Sequence, residues 1–178
     1  MNFEEIQIND LKDMNPFELI GKDWMLITSG TENKFNTMTA SWGGMGIMWN
    51  KNVTFCFVRP QRYTFEFLEK NQYYTLSFFE EKFKKSLMFC GRNSGREIDK
   101  IKESGLTPEF EMNIPYFKEA KIVLFCKKLY SQFIDPDCFL EDFIVGNYPQ
   151  EDYHKMYVGE IIKCMVKKQD ETYGSCDW

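Results

Sequence analysis

Histidine and paired cysteine are what this chain has least of: one histidine, His154, in 178 residues, and six cysteines of which no two stand as C-x-x-C. A closed zinc site needs four such ligands at close spacing, so no metal centre is expected. Three of Cys56, Cys90, Cys126, Cys138, Cys164 and Cys176 lie in strand-like apolar runs. That points to buried free thiols in a reducing compartment rather than to a disulfide framework. No stretch approaches the ~20 apolar residues of a membrane span. The opening MNFEEIQINDLKDMNPF is acidic where a secretion signal starts basic, and a cytoplasmic location is therefore expected. A basic excess is missing too, with formal net charge −5, which speaks against nucleic-acid binding. Neither a G-x-G-x-x-G after a strand nor an alternation of buried strands with long helices is present, so Rossmann and flavodoxin-like sheets are not expected.

What is present is apolar and aromatic mass, 43% and 17% of the chain, enough for a sizeable core in one domain over residues 1–178, with an N-terminal extension to about residue 20 and a loose tail at about 169–178. Val53 to Val58 is apolar on both faces, as a core strand must be. It delivers Arg59 and Arg62 to its end, where Thr64 can cap a helix from Phe65 to Lys70 and leave N–H groups facing an anion. From Arg59 to Lys102 there are ten Lys or Arg against six Asp or Glu, a local positive balance inside an acidic protein that suits a small anionic ligand.

In chain order, a short polar strand precedes Asn15-Pro16-Phe17-Glu18, a helix start. Strands are expected at Trp24–Thr28, at Met38–Met48 with a bulge at Gly43, Gly44 and Gly46, at Tyr73–Phe79, Ala120–Tyr130 and Met156–Lys168. Helices are expected from Glu81 to Phe89 and, behind a Ser94/Glu97 capping box, from Gly95 to about Glu103, stopping at Gly105. Pro108 and Pro115 make Leu106 to Tyr116 read as irregular, and Asp135 to Gln150 reads as a loop with one short helix. Many strands joined by short inserts favour a closed antiparallel barrel.

The segments NTMTASWGGMGIMWNK, FVRPQRYTFEFLEKN, YTLSFF, CGRNSGREIDKIKESGLTP and YHKMYVGEI, taken together and in this order, resemble the flavin reductase-like family of FMN-binding split barrels that includes the flavoredoxins. The resemblance spans about Trp24 to Ile161. It implies a mainly β fold, a six-stranded split β-barrel with short inserted helices, FMN as cofactor, a homodimer with the flavins near the subunit interface, and transfer of reducing equivalents through the flavin.

Carried onto this sequence, the resemblance implies that Thr37, Met38, Thr39, Ala40, Ser41 and Trp42 line the flavin ring, with Trp42 equally suited to core or interface packing. Arg59, Arg62 and Thr64 would meet the phosphate, a role for which the planar guanidinium fork is well shaped. Ser77, Phe78 and Phe79 would run beside the flavin, and Gly91, Ser94, Gly95 and Arg96 would close the pocket. His154 would help place the nicotinamide, although Asp152-Tyr153-His154 replaces the family's Gly-Asp-His. Hydride transfer depends on alignment, so His154 reads as a positioner and not as an obligatory base. The leading function is an NAD(P)H-dependent flavin reductase using NADH or NADPH. The alternatives are a flavoredoxin-like carrier that exchanges electrons with a small redox protein, and a non-enzymatic flavin-binding barrel.

Overall fold

The computed structural model describes residues 3–11 and 15–168. The expected loose tail at 169–178, with Cys176 and Trp178, lies outside the described residues. Ten strands are described: β1 (Phe3–Ile6), β2 (Met25–Thr31), β3 (Lys34–Ala40), β4 (Gly43–Met48), β5 (Lys51–Val58), β6 (Tyr73–Phe78), β7 (Pro108–Glu111), β8 (Ile114–Phe117), β9 (Ile122–Phe133) and β10 (Lys155–Lys167). Three α-helices join them: α1 (Tyr63–Lys70), α2 (Lys84–Arg92) and α3 (Lys100–Ser104).

The main sheet runs β3-β2-β6-β9-β10-β5-β4, antiparallel throughout. β1 takes up the edge of β10 beyond β5, pairing Phe3 to Ile6 with Lys167 to Cys164. The start of the expected N-terminal extension is thus sheet. Alternation sorts the side chains. Tyr74, Leu76 and Phe78 of β6 and Leu124 and Cys126 of β9 enter one core with Met25, Ile27, Val58 and Tyr157. Val123 and Phe125 face the other way, into a second core with Leu26, Leu87, Cys90 and Phe117. Covered on both faces, these strands read as nearly continuous apolar runs. This is the split barrel expected from the sequence, extended beyond six strands. Close to the register shift at Gly159, a Cβ would come within 2.3 Å of the Tyr74 hydroxyl, so only glycine lets that buried phenol reach Thr54 Oγ1 at 2.9 Å.

Several expected elements are redrawn. Met38–Met48 is two strands, because the chain leaves the β3 ladder at Ser41–Trp42 and pairs again, as β4, with β5 at the other end of the sheet. The irregular stretch near Pro108 and Pro115 is the β7–β8 hairpin, turning through Met112 and Asn113 at φ 52° and 62°. A two-stranded ribbon has outward edges where proline's missing N–H costs nothing. Thr64 does not cap α1: Arg62 holds the N-cap position without a side-chain bond, and Thr64 lies in the first turn. The Ser94 box makes only a turn, its hydroxyl accepting from Arg96 N at 3.2 Å, and the helix begins later, capped by Asp99 accepting from Lys102 N. Phe17 to Lys22 forms one wide π-helical turn, with Asn15 Oδ1 accepting from Phe17 N. Residues 135–150 hold two short 3₁₀ turns, Pro136–Cys138 and Asp142–Asn147. Cys56, Cys90, Cys126 and Cys164 are buried free thiols and Cys138 is exposed. Among the described residues no helix is long and apolar enough to cross a membrane, and no three or more His, Cys, Asp or Glu side chains are gathered as metal ligands would be.

Candidate functional site

β3 and β4 are the two ends of the sheet order, and the barrel is split where the chain passes between them. Edge strands carry backbone N–H and C=O groups outside the ladder, and here that edge faces a cavity. About 190 Å³ is enclosed by Met38, Thr39, Ala40, Ser41 and Trp42 with Phe57, Arg59, Arg62 and His154. A second cavity of about 410 Å³ shares Met38, Arg59 and Arg62 with it and is walled by Gln61, Tyr63, Thr64, Arg92, Asn93, Ser94 and Lys100. Together they make one groove, hydroxylic and aromatic at one end and cationic at the other.

Electrostatics at the cationic end are unbalanced. Lys100 is only 3% exposed, and its ammonium donates to the carbonyls of Cys90 and Asn93, both at 3.3 Å. None of the ion pairs among the described residues involves Lys100, Arg62 or Arg92. Burial chiefly pulls the Lys100 pKa down to about 8, with Cys90 opposing and Arg62 adding to the fall. Burial, then Arg59, lowers that of Arg62, which donates to Gly91 O at 2.7 Å. The N-terminal turn of α1 contributes Tyr63 and Thr64 to the same cavity. A buried lysine and a half-buried arginine, both without a carboxylate among the described residues and close to a helix start, form a donor set suited to an anion. A phosphate monoester fits this donor set.

Arg59 is committed elsewhere. It donates to Asp152 Oδ2 at 2.6 Å and to Asn147 O at 2.8 Å, and lies 5.2 Å from the Tyr148 ring centroid. Gln61 also donates to Asp152. The Arg59 bond holds the Asp152 carboxyl below its usual range, while Asp152 Oδ1 is buried without a hydrogen-bond partner. His154 lines the same cavity as Arg59. Its Nδ1 is 3.0 Å from the Tyr148 hydroxyl and its ring centroid 4.9 Å from that of Trp42. Burial chiefly, then Arg59, with Arg62 adding and Asp152 opposing, lowers its pKa to about 4, so the imidazole is neutral near pH 7.

Of the residues singled out from sequence, Met38 to Trp42, Arg59, Arg62, Thr64, Ser94 and His154 meet in the groove. Thr37 is turned inward, bonded to Thr28 Oγ1 at 2.8 Å and to Ile27 O. The Thr64 hydroxyl is engaged by Asn36 Nδ2 at 2.7 Å. Ser77, Phe78 and Phe79 are not brought to the groove: Phe78 fills the barrel core, Phe79 packs in the second core, and Ser77, between Leu26 and Val123, is fully buried. Gly91 and Gly95 act one layer out. Gly91 packs on Thr39, and a Cβ on Gly95 would come 2.2 Å from Asn36 Oδ1, so the 93–96 turn closes over Asn36 only as glycine. Arg96 clasps the turn, donating to Gln61 O at 2.9 Å and Glu66 at 2.6 Å over the Tyr63 ring. Lys100, Arg92, Asn36, Tyr148 and Asp152 were not among the residues assigned to the site. Arg92 and Lys100 had a signal in the sequence, as an arginine flanking the Ser94 helix start and a lysine one turn beyond it.

A model of the flavin reductase-like domain matches residues 18–175. The chain belongs to that family. Among solved structures, the family member is similar to a flavoredoxin from Methanosarcina acetivorans at 21% identity and a TM-score of 0.65, covering 93% of this chain and 77% of that one. An FMN-binding domain of a flavin reductases-like enzyme from Shewanella baltica gives 16% and 0.67 with 93% and 78% covered. The flavoredoxin of Desulfovibrio vulgaris gives 20% and 0.62 with 82% and 69% covered. At such identities the likeness is one of fold. No curated protein matches the sequence.

Proposed function

We propose that this flavin-binding oxidoreductase holds FMN along the groove and passes to it the reducing equivalents of NADH or NADPH. The observation that carries the reading is the cationic cavity, with buried Lys100 and half-buried Arg62 lacking carboxylate partners among the described residues, continuous with the cavity walled by Met38 to Trp42. Lys100, Arg62 and the first turn of α1 would hold the phosphate, and the free edge of β3 would hold the ring. Bound FMN supplies a two-electron acceptor for hydride and an outlet for single electrons. His154, neutral and braced between Tyr148 and Trp42, orients a donor and moves no proton.

Arg59 is a support in this reading, because its charge is met by Asp152. The assembly is a cytoplasmic homodimer, in which exposed Trp49 loses surface.

Anaerobic absorbance of the flavin-loaded protein after adding each pyridine nucleotide tests the reading. Bleaching by NADH or NADPH supports a reductase. Two of the structural relatives are flavoredoxins, which favours as a second reading an electron carrier, bleached by a reduced small redox protein and by neither nucleotide. A protein that takes up flavin but is reduced by none of these is a binding barrel.

A further inference from the structure

Beyond Trp42 the groove opens into a third hollow, larger than the other two at about 680 Å³. It shares Ser41, Trp42 and Phe57 with the cavity at the barrel split. Its remaining walls include Phe17, Ile20, Met45 and Ile134, and none of its lining side chains is charged. Ser41 supplies the one hydroxyl. Two aromatic rings stand open at it, Phe17 at 88% exposure and Trp42 at 45%. One wall is the π-helical turn Phe17–Lys22, a wide geometry met often at functional sites. The volume is that of a small-molecule site, for which ~300 to 1,000 Å³ is usual.

The contrast with the cationic cavity decides what it can take. A pyridine dinucleotide carries two phosphates, and the hollow offers them no cation. A charged group moved into such walls would lose water without a partner. A flat uncharged ring meets the opposite situation, with aromatic faces to stack on, apolar surface to cover and one hydroxyl to orient a carbonyl or phenol. We propose that this hollow is a second-substrate subsite for an uncharged planar compound of one or two rings. Calling it a second substrate rests on the FMN reading above, but the hollow's selectivity for neutral rings does not.

Gly21 allows a clean test, because a Cβ added there meets nothing within 4 Å, so Gly21→Leu fills the hollow from a wall away from the proposed flavin groove. Met45→Trp fills it from β4. Calorimetric titration uses 2-naphthol and its anionic counterpart naphthalene-2-carboxylate, on protein first titrated with FMN and on protein without it. The neutral ring should bind at least tenfold tighter than the anion, and either substitution should weaken 2-naphthol at least tenfold while FMN affinity stays at the parental value. Equal binding of both naphthalenes, or 2-naphthol binding that neither substitution changes, overturns the proposal. So does a finding that neither ring binds while Gly21→Leu weakens self-association in sedimentation, since the hollow is then a seam between two copies. Should FMN fail to bind while 2-naphthol behaves as stated, the FMN reading falls and the neutral-ring site stands.

Discussion

The Lys100 ammonium is buried and, among the described residues, bonded only to carbonyls, so any anion that arrives stabilises it. Lys100→Met should therefore weaken FMN far more than riboflavin, and Arg62→Ala likewise, by the ~1.5 to 3 kcal/mol of a charge-assisted hydrogen bond. Parallel titrations with the two flavins check this; equal losses would assign both residues to the ring or the fold. Because the Lys100 pKa lies near 8, a dianion binding at pH 9 should draw a proton onto it, seen as a dependence of binding heat on buffer ionisation. His154 makes a different prediction. His154→Gln should keep FMN content and lower the rate of reduction by NADH or NADPH about tenfold, or ~1.4 kcal/mol. With the pKa near 4, the parental reductive rate should show no imidazole titration between pH 6 and 8. Stability follows the same shift. The native pKa lies below the unfolded one, so the stabilisation is complete above about pH 6.5 and is lost as pH falls towards 4. After discounting for solvent screening this amounts to ~1 to 2 kcal/mol, which His154→Gln should remove from the acid limb of a denaturation series.

Among the elements, the turn between α2 and α3 is the most exacting. Asn36 on β3 donates to the Thr64 hydroxyl, and Gly95 closes over Asn36 with no room for a methyl group. Gly95→Ala should push this turn off β3 and cost ~1 to 3 kcal/mol by overpacking, with a looser FMN site as the second consequence. Chemical denaturation and FMN titration read the two effects. A variant as stable as the parent and equally tight for FMN would mean the turn shifts freely. The same turn explains why the capping box misled: Ser94 and Glu97 have the right spacing, but Arg96 is pulled across to Gln61 and Glu66, and helix geometry is reached only at Lys100, after the Asp99 cap.

For the whole molecule, the exposed aromatic and aliphatic residues of the β4–β5 hairpin and the adjoining β9 matter most. Ile47 and Trp49 project there, with Trp49 against Tyr130. Sedimentation at low micromolar concentration should give twice the chain mass of 21.3 kDa, and Trp49→Lys should shift it towards the monomer. A parental monomer that binds FMN fully would remove the homodimer.

Local patterns in the sequence determined much of this architecture by themselves. Unbroken apolar alternation at Val53–Val58 requires a strand covered on both faces, and two arginines at its end require something to answer their charge. Five segments in family order carried the split barrel and the loop from Met38 to Trp42. What tertiary structure alone decided is which charges are already answered. Asp152 is 93 positions from Arg59 and neutralises it, while Lys100 is folded beneath Arg62 with no carboxylate. It likewise decided that Ser77, Phe78 and Phe79 belong to cores, and that the apolar hollow adjoins the groove. Spacing along a chain reports local geometry; burial and ion pairing depend on residues brought together across the barrel, and no periodicity encodes them.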